Sequence, residues 1–405
     1  MAVGPDTLPE FYPVTGFKLG TASAGIKTPG RQDLVLMEIP AGASVAGVFT
    51  KNAFCAAPVQ ICKRHMELKT ARYLVVNTGN ANAGTGQQGW DDGALTCKTV
   101  ADLMDVTDAE VLPFSTGVIG EKLPVEKIVT ALPAAKEALT ETGWEAAASG
   151  ILTTDTRPKG ASEQFSYNGQ TITVTGISKG SGMIMPNMAT MLGYVATDAE
   201  VDQALLQSLL TASTDQSFNR ITVDSDTSTN DSCILVATGT SGVKVDAQDA
   251  ALLAQFTEVL NRVMRDLAHA IVRDGEGATK FVTIQVDSAA SQQEALAVAY
   301  DIAHSPLVKT ALYASDPNWG RILAVVGRAG VENLDLDALQ IYLGDVCIVE
   351  NGGRAASYTE EAGQAVMDQE EIGIRVVLNR GDIAETVWTT DLSQEYVTIN
   401  ADYRS

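Results

Sequence analysis

Apolar residues recur along this chain with two spacings, and the changes between them predict strands and helices in alternation. Arg72-Tyr-Leu-Val-Val-Asn77 and the run through Met191, Leu192, Tyr194 and Val195 are short, apolar and strand-like. Residues 171–174, 279–286 and 340–343 have strand periodicity, and Val282, Ile284 and Val286 fall on one face. These are expected as half-buried strands. Thr197-Asp-Ala-Glu200 has the form of a capping box, which predicts a helix opening there and carrying Leu205, Leu206, Leu209 and Leu210. A second helix is expected from about Asp249, with Leu253, Phe256, Leu260, Val263, Met264 and Leu267 on its apolar stripe and its end near Gly275. The pattern holds in both halves, so the expected class is α/β.

Composition narrows the picture only a little. At 405 residues and 45% hydrophobic content the chain can form two domains or one large composite core. Its apolar stretches are far shorter than the roughly 20 residues that cross a bilayer, and the first residues have neither a basic nor an apolar signal segment. A cytoplasmic, non-membrane protein is expected. The net charge of -22 argues against nucleic acid, because phosphate binding needs a basic surface. Cys55, Cys62, Cys97, Cys233 and Cys347 are widely separated and fit neither a zinc pattern nor a disulfide framework. No repeat, low-complexity tract or linker marks a domain boundary.

Several features point to chemistry that other residues argue against. Gly84-Thr-Gly-Gln-Gln-Gly89 fits a dinucleotide fingerprint, following a strand-like run and preceding a helical pattern with Leu95, Val100 and Leu103. That run ends at Asn77, too far ahead to set a pyrophosphate on the helix N-terminus. His65, His269 and His304 lie near no Ser-x-Gly elbow, and surface or capping roles are expected for them. Asp224, Asp226 and Asp231 lack the glycine and terminal glutamate of a calcium loop, so a structural turn is expected and no metal.

The chemistry is carried by Lys179-Gly-Ser-Gly-Met-Ile-Met-Pro-Asn-Met-Ala-Thr190-Met-Leu-Gly. Gly180, Gly182 and Pro186 break regular structure ahead of Thr190, and an apolar strand follows it. The Ala189–Thr190 bond therefore sits at a loop-to-strand junction, where strain can be released by an N-to-O acyl shift. A threonine freed as a first residue carries nucleophile and base together, its hydroxyl and its α-amine.

This string, with Asn77-Thr-Gly-Asn-Ala-Asn-Ala-Gly84, Ser115-Thr-Gly-Val-Ile-Gly120, Thr153-Thr-Asp-Thr156, Asp224-Ser-Asp-Thr-Ser-Thr-Asn-Asp231, Asp274-Gly-Glu-Gly-Ala-Thr-Lys280, Asp316-Pro-Asn-Trp-Gly-Arg321 and Ile399-Asn-Ala-Asp-Tyr-Arg-Ser405, resembles the bifunctional ornithine acetyltransferase / glutamate N-acetyltransferase family of arginine biosynthesis. The resemblance runs from about residue 15 to the last residue. It implies an α/β sandwich of packed β-sheets flanked by helices, cut into an α fragment 1–189 and a β fragment 190–405 that stay intertwined, commonly as a heterotetramer of two α and two β. It implies transfer of acetyl from N-acetylornithine to glutamate through an acetyl ester on Thr190, releasing ornithine and N-acetylglutamate. No cofactor is implied, and acetyl-CoA stays open as a second donor. Thr116 and Gly117 are the implied oxyanion donors. The implied substrate contacts are Thr154 or its neighbour Thr153, Lys179, Glu276, Asn400 and Ser405, with the chain end folded over the site. Lys179 would pair with a substrate carboxylate and Glu276 with an ammonium group. Met185, Gly193, Tyr194 and Ser405 depart from the usual family residues without touching the nucleophile. A related self-processing aminopeptidase, with water as the acceptor, is the alternative.

Overall fold

The computed structural model describes residues 2–5, 7–185 and 191–402. The expected scissile residue Ala189, the nucleophile Thr190 and the substrate residue Ser405 lie outside the described residues. The chain forms two compact units. One comprises Thr7–Asn219 and Asp226–Ile271, the other Met1–Asp6, Arg220–Ser225 and Val272–Ser405.

In the larger unit, β1 (Lys18–Ala22), β2 (Leu34–Glu38), β4 (Tyr73–Asn80) and β5 (Val111–Val118) form one sheet in that order, antiparallel except for the parallel β4/β5 pair. A second sheet has the order β3 (Ser44–Phe49), β10 (Ser232–Ala237), β8 (Leu192–Thr197), β7 (Gln170–Lys179), β6 (Lys159–Tyr167). A small parallel pair joins β9 (Glu200–Val201) to β11 (Lys244–Val245).

The continuous apolar run Leu34–Met37 follows from this layering, because both faces of the first sheet are covered. Leu34 and Leu36 pack with Val100, Ile128 and Leu132, from α2 (Gly86–Met104) and α3 (Val125–Glu137), beside α1 (Ala57–Leu68). Val35 and Met37 face the other way and pack with Ile177, Leu192, Tyr194 and Ile234 of the second sheet. Trp144 and its neighbours on α4 (Trp144–Gly150) share that inner layer. Helix α5 (Gln203–Gln216) covers β3 and β10, and α6 (Ala250–Arg273) brings Leu267 against Gly176 of β7. The mixed α/β class with packed, helix-flanked sheets is as expected.

Tyr194 meets Phe114 edge-on between the two sheets, with ring centroids 5.3 Å apart. Its hydroxyl is buried and, among the described residues, has no hydrogen-bond partner. A buried donor left unpaired costs free energy. Tyr194→Phe is therefore expected to raise stability by about 1 kcal/mol with turnover unchanged, read as a higher urea midpoint at constant slope; a lowered midpoint would contradict it.

The smaller unit has one sheet, in the order β15 (Gly353–Arg354), β14 (Val346–Glu350), β13 (Gln340–Leu343), β16 (Glu371–Val377), β12 (Phe281–Ala289), β17 (Ile383–Thr390). Val282, Ile284 and Val286 point into one core, as their spacing predicts, against α7 (Gln292–His304), α8 (Pro306–Tyr313) and α9 (Trp319–Arg328), with α10 (Glu360–Met367) at its edge. Helix α11 (Gln394–Ala401) follows the last strand.

One helix start differs from the sequence reading. Thr197 does not open a helix: it ends β8, fully buried and paired with both Val174 and Ala237. Its hydroxyl accepts from the Ala199 amide at 3.2 Å. The helix begins at Gln203, where Asp202 caps the Leu205 amide at 2.9 Å. Ladder pairing on both edges outweighs a four-residue local signal.

Candidate active site

Thr116 and Gly117 lie near the end of β5, opposite Thr78 and Gly79 of β4. Here the two backbones approach so closely that a Cβ on Gly117 would fall 2.3 Å from the Gly79 carbonyl carbon. Gly117 also has φ +136°, which side chains disfavour. Asparagines fix these strand ends. Ser115 Oγ donates to Asn77 Oδ1 at 2.6 Å, Asn77 Nδ2 to the Asn80 carbonyl at 2.9 Å, and Asn230 Nδ2 to the Ser115 carbonyl at 2.9 Å. All three asparagines are buried, so each amide must be satisfied inside the protein.

The same network explains the glycine fingerprint. Strand β4 runs to Asn80, three residues beyond the expected end, and the loop behind it is filled by Asn82, whose Nδ2 donates to the Gly89 carbonyl at 2.7 Å. A Cβ on Gly89 would lie 1.9 Å from Thr85 Oγ1 and 2.5 Å from Asn82 Oδ1. Close packing of this loop accounts for Gly89 without a nucleotide.

Lys179 ends β7, buried, and its Nζ donates to Thr116 Oγ1 at 3.2 Å. Across the second sheet Lys179 is paired with Leu192, and Leu192 with Ser232. Lys179, the start of β8 and the start of β10 thus share one sheet end, two residues from Thr190 in the chain. The Thr153–Thr154 segment meets the same region, with Thr154 Oγ1 2.8 Å from Ser181 Oγ. Thr153 contributes its backbone amide, which donates to Asp155 Oδ2 at 3.0 Å.

Sequence reasoning gave one acid here no task and assigned the other, Asp231, to a structural turn. The Asp155 side chain is fully buried, 2.6 Å from Lys159 Nζ and 3.9 Å from Lys179 Nζ. Burial alone would raise its pKa, but the two ammonium groups, Lys159 foremost, hold the carboxyl well below its ordinary value. Asp231 is buried too, and burial pushes its carboxyl well above the usual range despite Ser228 and Lys179. The quoted Thr-Thr-Asp-Thr string contained Asp155, with Lys159 four residues on; their meeting with Lys179 depends on the β6/β7 pairing.

In the smaller unit, Glu276 sits buried in a turn held by Asp391, whose Oδ1 accepts from the Thr279 and Lys280 amides at 2.8 and 3.0 Å. Gly277 has φ +70°, and a Cβ there would lie 2.5 Å from both Ser393 Oγ and the Tyr396 nitrogen. Helix α11 therefore packs directly on this turn. Asn400 Nδ2 donates to Glu276 Oε2 at 2.8 Å, so these two predicted residues do meet. His304 is half-buried rather than at the surface, 3.2 Å from Thr222 Oγ1, and burial, with Lys309, pushes its pKa down to about 4.

The chain matches the ArgJ family over residues 18–405. It belongs to that family. ArgJ relatives named arginine biosynthesis bifunctional protein, from Pseudomonas fluorescens and Pseudomonas syringae pv. tomato, are each 59% identical over 406 residues, covering 100% of both chains. The crystal structure of the ArgJ bifunctional protein of Bacillus halodurans is 39% identical, with a TM-score of 0.49, covering 51% of this chain and 97% of that one. An ornithine acetyltransferase from Mycobacterium tuberculosis, solved with ornithine, is 33% identical with a TM-score of 0.38, covering 44% of this chain and 94% of that one. The ArgJ assignment bears out the family resemblance in the motif strings. Among the described residues, no helix is long and apolar enough to cross a membrane.

Proposed function

We propose that this chain cuts its own Ala189–Thr190 bond and then carries acetyl from N-acetylornithine to glutamate as an ester on Thr190. As an ArgJ protein it is an acyltransferase of arginine biosynthesis. The observation that carries the residue-level reading is the 3.2 Å contact between Lys179 Nζ and Thr116 Oγ1, at the sheet end where the chain leads toward Thr190.

In the precursor the Thr190 hydroxyl attacks the Ala189 carbonyl; breaking the Ala189–Thr190 C–N bond frees the α-amine and leaves an ester, which water hydrolyses to the Ala189 carboxylate and the free Thr190 hydroxyl. With an intrinsic pKa of about 7.7–8.0, that amine takes the hydroxyl proton in later turnovers. The oxygen next attacks the acetyl carbonyl, ornithine leaves, and the glutamate amine attacks the acetyl-threonine. Thr116 and the Gly117 amide face the developing oxyanion. Lys179 holds a substrate carboxylate, Thr154 or Thr153 lines the same region, and Glu276, Asn400 and Ser405 complete the substrate contacts by family resemblance. Acetyl-CoA would serve as a second donor to glutamate.

The fragments 1–189 and 190–405 remain one body in this reading, as a cytoplasmic heterotetramer of two α and two β. Support comes from the second sheet, where β8 and β10 follow the cut and β3, β6 and β7 precede it. Cutting the Ala189–Thr190 bond leaves their ladders hydrogen-bonded.

Incubation with N-acetylornithine alone should add one acetyl group to the fragment beginning at Thr190, by mass. Glutamate should then discharge it as N-acetylglutamate, in step with ornithine release. Acetate release without an acceptor would favour the hydrolase alternative, and absence of a new N-terminus at Thr190 would end the proposal.

A further inference from the structure

We propose that Asn230 is a positioning residue that sets Thr116 and Gly117 against the nucleophile strand, through one side-chain amide that bridges the two large sheets. This rests on the reading of Thr116 and Gly117 as oxyanion donors given above.

Asn230 is buried, and both ends of its side-chain amide are engaged. Its Nδ2 donates to the Ser115 carbonyl at 2.9 Å and to the Ala81 carbonyl at 2.5 Å, while its Oδ1 accepts from Thr229 Oγ1 at 2.7 Å. Only the nitrogen end can face two carbonyls, so the amide has one workable orientation. The Ser115 carbonyl and the Thr116 amide belong to one planar peptide unit, so fixing the first fixes the second. Beyond the two donors, the Ala81 amide donates to the Val118 carbonyl at 2.9 Å. Asn230 therefore brackets Thr116 and Gly117, directly at Ser115 and through Ala81 at Val118.

The backbone of Asn230 leads toward the nucleophile. Two residues on, the Ser232 amide donates to the Met191 carbonyl at 2.9 Å, and Ser232 Oγ donates back to the Asn230 carbonyl at 3.1 Å. Met191 follows Thr190 in the chain. Strand β5 belongs to the first sheet, whereas β8 and β10 belong to the second. In the proposed cut enzyme they also lie on different fragments. An oxyanion donor contributes only when it converges with the nucleophile on one carbonyl, and a misplacement of about 1 Å is costly. The Asn230 amide supplies that registration across the sheets.

The test reads kcat and KM for acetyl transfer from N-acetylornithine to glutamate, normalised to self-cleaved enzyme. Asn230→Ala should lower kcat about tenfold to a hundredfold, the cost of a misplaced catalytic group, and leave KM within about twofold of wild type. Asn82→Gly is the control. Asn82 is also buried, but its side chain bonds Gly89 and Thr85 instead, and its φ of +47° suits glycine. That variant should lose stability and keep its kcat. Placed on Gly117→Ala, whose β5 end is already turned, Asn230→Ala should cost less than about threefold more, a coupling that a merely structural role would not give. Wild-type kcat in Asn230→Ala, a loss carried by KM, an equal kcat loss in Asn82→Gly, or full additivity with Gly117→Ala would overturn the proposal. Should Asn230→Ala not fold, Thr229→Val, which keeps the shape of Thr229 but releases the Asn230 amide, must lower kcat about threefold or more at unchanged KM. Thr116→Ala and Gly117→Ala separate the two readings. If both keep wild-type kcat, the oxyanion assignment itself fails; if they lower it while Asn230→Ala does not, only the role of Asn230 falls.

Discussion

Thr190→Ala protein is expected to remain one full-length chain and to lose acetyl transfer by about 10⁴-fold or more. Both effects have one cause in the proposed mechanism, where the hydroxyl that opens the backbone is the one that later accepts the acetyl group. Thr190→Ser keeps that oxygen and should still be cleaved, more slowly, and turn over. A denaturing gel with N-terminal sequencing reads the first effect, and ornithine release from N-acetylornithine plus glutamate reads the second. If the alanine variant transferred acetyl at wild-type rate, the nucleophile would lie elsewhere. Loss of transfer with normal cleavage would separate two functions that the mechanism joins.

Gly117→Ala is expected to lower kcat by about 10²–10³-fold, the usual effect of losing one oxyanion donor, and to slow self-cleavage with it. The methyl group would lie 2.3 Å from the Gly79 carbonyl carbon and 2.5 Å from the Asn80 nitrogen. Neither can give way easily, because both belong to the β4 backbone, which the buried asparagines pin. The β5 end must therefore turn, taking the Gly117 amide away from its proposed place at the reacting carbonyl. Gly120→Ala is the control. Gly120 has φ +82° but, among the described residues, nothing within 4 Å of a Cβ there, so its alanine variant should lose about 1–2 kcal/mol of stability and keep its kcat. Equal kcat losses at both positions would mean that general backbone strain, not oxyanion placement, is being measured.

How much of this was legible beforehand differs by element. Strand β13 and the long helix from Asp249 were readable because their periodicity is sustained and their caps are local. The Leu34–Met37 run carries no period, since both its faces are buried, and the sequence assigned it no element. Thr197-Asp-Ala-Glu200 misled because a capping box competes with strand pairing that only the assembled sheet supplies. At the site, Thr116, Gly117, Lys179 and Thr154 could be singled out from their strings. Asp155 was quoted but given no task, and Lys159, Asn77 and Asn230 were given none either, because their value lies in contacts that only the fold assembles, such as Asn230 on Ser115, 115 residues away.

By itself, then, the sequence determined the family, the α/β class, the residue proposed as nucleophile and the chemistry available to it, since these depend on residue types in short contiguous strings. The tertiary structure decided which charged groups meet and at what distance. That Asp155 takes Lys159 at 2.6 Å and Lys179 only at 3.9 Å, and that Gly117 rather than Gly120 faces a backbone wall, follow from how strands pair across the fold. Coulomb and steric energies depend on distance, and distances between remote residues exist only once the sheets have closed.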